Sequence, residues 1–211
     1  MDESRRVRET YDRIASHFAD TREHPWPEVE AFLEGRQGTL GLDVGCANGR
    51  HAQLLAARTD RVLGVDASRG LLFEARTRAR DRGFGVDLLQ GDAAALPVRS
   101  ERVDLAVYVA TIHHLPDRET RVGSLDELAR VLAPGGRALV SAWSTAHGKF
   151  DAEAGFDTTV DWTLPGGETV PRFYHIYAPE EFRAEVEDSA LAVESFEVSS
   201  GNCYATVKRE Q

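Results

Sequence analysis

The stretch Thr39-Leu40-Gly41-Leu42-Asp43-Val44-Gly45-Cys46-Ala47-Asn48-Gly49 reads as an apolar strand running into a turn of small residues. Small residues at a strand's carboxyl end let backbone amides approach a ligand closely. Outward from this turn, short apolar runs alternate with helical periodicity. The spacing predicts strands at 39–44, 61–66, 86–90, 103–110 and 137–143, with helices over 50–58, 68–82 and 119–133 between them. Strand–helix alternation of this kind implies right-handed crossovers and a parallel sheet. The continuous apolar run from Leu105 to Ala110 marks a central strand covered on both faces. Upstream, Val7, Tyr11, Ile14, Ala15 and Phe18 recur at helical spacing and predict a helix over 3–20. A break at His24-Pro25-Trp26-Pro27 precedes a second helix over 28–35. Downstream, 144–176 is expected to be irregular. A helix over 179–188 follows, and the runs 192–198 and 203–208 flank Ser199-Ser200-Gly201-Asn202 as an antiparallel hairpin. The expected fold is α/β: a seven-stranded, mostly parallel sheet with helices on both faces and a terminal antiparallel hairpin.

The chain has 211 residues, which fits a single domain over 1–211. Its longest apolar runs fall far short of the ~18 residues a membrane span needs. Its first residues, MDESRRVRETYD, lack the apolar core of a signal peptide. Two cysteines, Cys46 and Cys203, build neither a disulfide framework nor a zinc cluster, so no metal is expected and a cytoplasmic location is. Acidic residues number 35 against 25 basic ones, a net charge of −10. Only Lys149 and Lys208 are lysines; the other basic residues are arginines. That bias fits a halophilic archaeon or a GC-rich genome. The acidity argues against general nucleic-acid affinity, so a polyanion must be met by a local patch.

Three carboxylates stand where an open sheet binds ligands, at strand carboxyl ends. Asp43 precedes the glycines and suits a cationic amino group. Asp66 ends the second strand and suits the two hydroxyls of a ribose. Asp92, in Gly91-Asp92-Ala93, suits an adenine amino group. Leu132-Ala133-Pro134-Gly135-Gly136 stops a helix before the fifth strand. The G-x-G-x-x-G spacing of nicotinamide-binding sheets is absent. In this order and spacing the motifs resemble the class I S-adenosylmethionine-dependent methyltransferases, with their Rossmann-like fold, from about residue 38 onward. The resemblance implies S-adenosyl-L-methionine as cofactor, with Asp43, Gly45 and Ala47 at its methionine part, Asp66 at the ribose, and Asp92 with Ala93 at the adenine. Tyr11, Phe18, Cys46, Ala67 and Ala110 complete the implied cofactor contacts. The chain departs from the family at Ala47, where a glycine is usual.

Fold does not choose the methyl acceptor. Tyr11-Asp12-Arg13-Ile14-Ala15-Ser16-His17-Phe18-Ala19-Asp20-Thr21-Arg22 with Pro25-Trp26-Pro27, then Ile112-His113-His114-Leu115, then Arg172-Phe173-Tyr174-His175-Ile176-Tyr177 with Gly201-Asn202-Cys203-Tyr204-Ala205 resemble one subfamily. These are the tRNA methyltransferases that esterify carboxymethyluridine at the wobble position, and the likeness covers nearly the whole chain. It implies a helical lid at 1–36, a substrate-side insertion at 144–178, and the tRNA anticodon loop as substrate. Arg22 and Arg172 would clamp the acceptor carboxylate. His113, Tyr174, His175 and Asn202 would bind the uracil edge or ribose, and Trp26 would stack on a base. Cys203 departs from the expected aromatic residue. Arg5, Arg6, Arg8 and Arg13, and Arg76, Arg78, Arg80 and Arg82, are candidate RNA contacts, with a solvated, acid-paired helix face the favoured reading. The resemblance also implies a small zinc-binding methyltransferase activator protein, docked on the strand at 84–90 and the helix at 68–82 and covering Leu71, Leu72 and Phe73. Two other functions fit the cofactor motifs: methylation of a small carboxylic acid or other metabolite, and a non-catalytic S-adenosylmethionine-binding module.

Overall fold

The computed structural model describes residues 3–210; the first two residues of the expected lid and the last of the expected domain lie outside them. The strand before the glycine turn, β1 (Gly38–Val44), is the third of seven in one sheet of order β3-β2-β1-β4-β5-β9-β8. Strands β2 (Thr59–Asp66), β3 (Asp87–Gln90), β4 (Val103–Val109) and β5 (Leu132–Trp143) extend it in parallel. Strands β8 (Leu191–Ser199) and β9 (Asn202–Arg209) close it as an antiparallel hairpin on β5. Ser200 and Gly201 between them have φ of +51° and +77°. Two successive left-handed residues make the tight turn whose twist matches the flanking strands.

The period-2 alternation of β4 assigns its side chains to two cores. Ala106 and Tyr108 join one core with Leu125 and Leu128 of α5 (Arg118–Val131) and Phe182 of α6 (Pro179–Glu187). Leu105, Val107 and Val109 join the other with Phe32 of α2 (Pro27–Leu33) and Leu55 of α3 (Arg50–Ala56). Helix α4 (Arg69–Arg82) starts at Ser68, whose hydroxyl accepts from the Leu71 amide, and stops at left-handed Gly83.

The expectation of an irregular 144–176 needs correcting. Its second half is an antiparallel hairpin, β6 (Phe156–Thr163) and β7 (Thr169–Ile176), paired residue for residue. Alternation along Thr158-Thr159-Val160-Asp161-Trp162 carries little apolar contrast, which hides the strand in the sequence. The hairpin packs on α1 (Glu3–Thr21) through a small separate core of Ile14, Trp162 and Val170. This satellite core holds the N-terminal helix over the carboxyl ends of the parallel strands.

Candidate functional site

The chain reverses hand three times after β1. Gly45, Ala47 and Gly49 have φ of +69°, +46° and +77°. Gly45 has no substitute: a Cβ there would lie 2.2 Å from Thr111 Oγ1. The Gly45 and Cys46 amides donate to the Val65 carbonyl, at 2.8 and 3.0 Å. The Ala47 amide donates to Asp66 Oδ2 at 2.9 Å, and the Ser68 amide to Asp66 Oδ1 at 2.8 Å. The alanine departure is therefore accommodated in a left-handed backbone with its amide anchored. Burial raises the Asp66 carboxyl to about 6 against those two backbone bonds. Asp92 Oδ1 accepts from the Ala94 amide at 2.9 Å.

These turns and α1 enclose a cavity of about 560 Å³, a size that suits one nucleoside-sized ligand. Tyr11, Phe18, Gly45, Cys46, Ala47, Asp66, Ala67, Asp92, Ala93 and Ala110 all line it. Asp43 does not. It is 1% exposed behind the turn, with Oδ2 buried and without a hydrogen-bond partner. Burial pushes its carboxyl up to about 7, against a bond from the Ala52 backbone and the charge of Arg50. A buried orphan oxygen at a strand's carboxyl end fits an ammonium-bearing ligand.

A second cluster adjoins the cavity across Tyr11. The Tyr11 hydroxyl lies 2.8 Å from His114 Nε2, and His114 Nδ1 lies 2.8 Å from the Phe173 carbonyl. A carbonyl only accepts, so Nδ1 carries the proton and Nε2 accepts from Tyr11. Burial holds His114 down at about 4, so the ring is neutral at pH 7. Arg172 donates to the Tyr174 hydroxyl at 2.7 Å, and both act on the Tyr11 hydroxyl. The Arg172 guanidinium sits over Trp162 at 4.8 Å, and that of Arg22 over the same ring at 5.1 Å. Trp162 in turn donates to His17 Nδ1 at 3.0 Å. Arg172 is 8% exposed, its Nε has no hydrogen-bond partner, and no carboxylate lies within ion-pair distance among the described residues.

Two expected substrate contacts, His175 and Asn202, stand elsewhere, while His113 packs under the cluster, its ring centre 4.8 Å from that of Tyr174 and 4.5 Å from that of His114. His113 is buried beneath its neighbour: its Nδ1 accepts from the Trp143 amide at 3.0 Å, and it bonds the Ala110 backbone. Its ring serves as a strut, and His114, one residue on in the short helix Ile112–His114, takes the cavity wall. His175 is held by Asp157 at 2.7 Å and Glu181 at 3.0 Å, which engages both ring nitrogens. Asn202 lies at the β8–β9 turn with its amide on the Ser200 carbonyl, away from the cavity wall. Trp26 packs edge-on against His51 and Tyr204. Residues that sequence spacing left unmarked are Arg50, His51, Thr111 and Gln90, all on the cavity wall. Among the described residues no group of three His, Cys, Asp or Glu side chains is disposed to hold a metal. No described helix is long and apolar enough to cross a membrane.

Carboxylates at the ends of β2 and β3, a left-handed turn at the end of β1 and an enclosing helix define a nucleoside-binding α/β protein. A family model described as a methyltransferase domain matches residues 42–140. A protein of Encephalitozoon cuniculi named as a methyltransferase is 30% identical over 215 residues, 98% of this chain and 97% of that protein. The chain belongs to the S-adenosylmethionine-dependent methyltransferase family. It is 35% identical over 174 residues to the tRNA (carboxymethyluridine(34)-5-O)-methyltransferase of Saccharomyces cerevisiae, covering 79% of this chain and 59% of that protein. It is 40% identical over 144 residues to the enzyme of that name, ALKBH8, in Mus musculus, covering 67% of this chain and 20% of that protein. The chain thus spans a fifth to three-fifths of these longer relatives. Among solved structures, a DhpI–SAH complex aligns with TM-score 0.76 at 20% identity, covering 98% of this chain and 97% of that one. A Haloferax volcanii methyltransferase solved with the Trm112 methyltransferase activator aligns at 0.71 and 16%, covering 97% and 98%.

Proposed function

We propose that this chain transfers a methyl group from S-adenosylmethionine to the carboxylate of 5-carboxymethyluridine at the tRNA wobble position, forming the methyl ester. One observation carries the reading: a buried guanidinium, Arg172, without an acidic partner, beside the cofactor cavity. An unpaired buried charge of this kind costs roughly 3–5 kcal/mol, which an entering anion offsets. When bound, the cofactor supplies an electrophilic methyl carbon on a sulfonium. The acceptor carboxylate, with a pKa of about 4, is already ionised at neutral pH and needs no base. The chain's task is to orient one oxygen and exclude water. Arg172, fixed by Tyr174 and Trp162, grips the anion, and Arg22 adds a second positive charge on the same indole. Neutral His114 leaves Tyr11 a fixed hydrogen bond, which suits α1 as the lid between donor and acceptor. The names of the yeast and mouse relatives support tRNA as the carrier of that carboxylate.

Most of the candidate RNA-binding arginines are already paired: Arg5 with Glu9, Arg6 with Glu3, Arg13 with Glu168, Arg80 with Asp81, and Arg78 and Arg82 with Glu23. Arg8, on the cavity wall, and exposed Arg76 keep charge to offer phosphate. A small zinc-binding activator is proposed along the β3 edge, where Phe73 of the neighbouring helix is 64% exposed. Leu71 and Leu72 are buried in the chain itself and leave that surface to Phe73. The Haloferax volcanii complex supports a partner of this kind.

The test uses methyl-labelled cofactor and tRNA bearing carboxymethyluridine, followed by mild alkali. An ester releases labelled methanol; a methylated ring atom retains its label. Arg172→Ala is expected to cut ester formation by about 100-fold, the worth of a lost charge-assisted bidentate contact, while sparing cofactor binding. Wild-type rates in Arg172→Ala, or methylation of free small acids in place of tRNA, would defeat the proposal.

A further inference from the structure

An acidic chain must meet a polyanion with a local patch, and most of the arginines expected to do so are paired with carboxylates. A different cation stands beyond the cluster around Arg172. Lys149 is exposed, and no carboxylate lies within ion-pair distance of it among the described residues. The other lysine, Lys208, lies 3.6 Å from Glu194. The Lys149 ammonium sits 5.5 Å from the centre of the Trp143 ring.

Trp143 is the last residue of β5, at the carboxyl edge of the parallel strands, and it is half-buried. The rings of His147, Phe150 and Tyr174 lie 4.9–5.3 Å from its ring, inclined at 67–89°. None is parallel to the indole, so no described ring of the chain stacks flat on it. The backbone around it is pinned. The Trp143 amide donates to His113 Nδ1 at 3.0 Å, the Ser144 amide to the Gly201 carbonyl at 3.0 Å, and the Thr145 amide to the Tyr177 carbonyl at 2.8 Å. A fixed indole with an unpaired ammonium over it is the pairing that single-stranded nucleic acids meet on their binding proteins: the ring stacks on a base and the cation meets a phosphate. Tyr174 joins this pair to the proposed anion site. Its ring touches Trp143, and its hydroxyl accepts from Arg172 at 2.7 Å. One aromatic ring therefore separates the two sites, a span that suits adjoining nucleotides.

We propose that Trp143 and Lys149 form a second RNA subsite, in which the indole stacks on the base next to carboxymethyluridine and the ammonium meets the adjoining phosphate. The inference rests on the tRNA reading of the acceptor and adds a neighbouring nucleotide to it. The probe is a short, labelled single-stranded RNA with carboxymethyluridine at its centre. It is compared with two oligomers in which the residue on one side or the other is abasic. Binding is followed by fluorescence anisotropy with S-adenosylhomocysteine present. The wild-type chain is expected to bind the full oligomer roughly 10-fold more tightly than one of the two abasic oligomers. Trp143→Leu should shrink that ratio to about 2-fold or less and bind the same abasic oligomer as wild type does. Phe150→Leu, which loosens the indole's support, should shrink it partway. Lys149→Gln should keep the ratio and reduce the slope of log affinity against log salt by roughly 0.7. Equal wild-type affinity for the three oligomers overturns the inference, as does an undiminished ratio in Trp143→Leu or an unchanged salt slope in Lys149→Gln. If Trp143→Leu fails to fold, the wild-type comparison and Phe150→Leu still decide. An abasic penalty without ester formation on tRNA defeats the acceptor reading alone; ester formation without an abasic penalty defeats the subsite alone.

Discussion

Asp43 sets a conflict between stability and binding. Its carboxyl is raised to about 7 by burial, so the folded protein keeps a proton there that the unfolded chain sheds in the ordinary carboxylate range. The stability of that neutral form is full at low pH and declines as pH rises through about 7. Asp43→Asn removes the buried charge. The variant is expected to melt several degrees above wild type at about pH 8 and nearly level with it only at about pH 3.5, below the unfolded carboxylate's range, while binding S-adenosylhomocysteine more weakly. Thermal melts at the two pH values check the sign. Gly45 carries an opposite demand: both its φ and the 2.2 Å approach to Thr111 exclude a side chain. Gly45→Ala should lower the melting temperature and abolish cofactor binding, read by melting with and without S-adenosylhomocysteine.

At the level of elements, α1 is tied down by polar contacts as much as by its apolar face. Asp12 Oδ1 accepts from the Ser68 hydroxyl at 2.7 Å and the Gly70 amide at 2.9 Å, which joins α1 to the start of α4. The Asn48 side chain donates to the Arg22 carbonyl at 2.9 Å beyond the helix end. Asp12→Ala should leave the sheet intact, cost about 1–2 kcal/mol, and expose the first thirty or so residues to limited proteolysis. The β6–β7 hairpin has its own clamp in His175, held by Asp157 and Glu181. Burial lowers the His175 pKa, but the bonds from Glu181 and Asp157 outweigh it, and the net value lies above 6.5. A raised value means the clamp contributes fully below 6.5 and fades as pH climbs through the folded-state pKa. The melting gap between wild type and His175→Phe should be widest at about pH 6 and narrow toward about pH 9.

At the scale of the whole molecule, the proposed partner is placed at one of the two sheet edges, β3. The sheet ends in β8 on one side and in β3 on the other, and the β3 edge is four residues long, beside exposed Phe73. An apolar ring left 64% exposed next to unpaired strand edges invites a docked chain. If the proposed activator docks there, Phe73→Asp should abolish co-purification with it without lowering the melting temperature of the free chain, because Phe73 adds nothing to the core.

The strand and helix order, the terminal hairpin and the three carboxylates at strand ends were legible because each depends on periodicity or turn chemistry within a dozen residues. The glycine turn fixed the cavity's place for the same reason. The β6–β7 hairpin was not legible, since its alternating residues carry too little apolar contrast. Nor was the choice of His114 over His113: a single step along a short helix turns one ring to the cavity and the other into the sheet. The meeting of Arg22 and Arg172 over Trp162 joins three segments far apart in the chain. Which arginines are neutralised, which carboxylate is buried and which histidine nitrogen is left over depend on such distant contacts. Local sequence determined the scaffold and the position of its binding edge. Only the tertiary structure decided which side chains keep an unsatisfied charge or hydrogen bond to spend on a ligand, because that balance is struck between residues no local pattern connects.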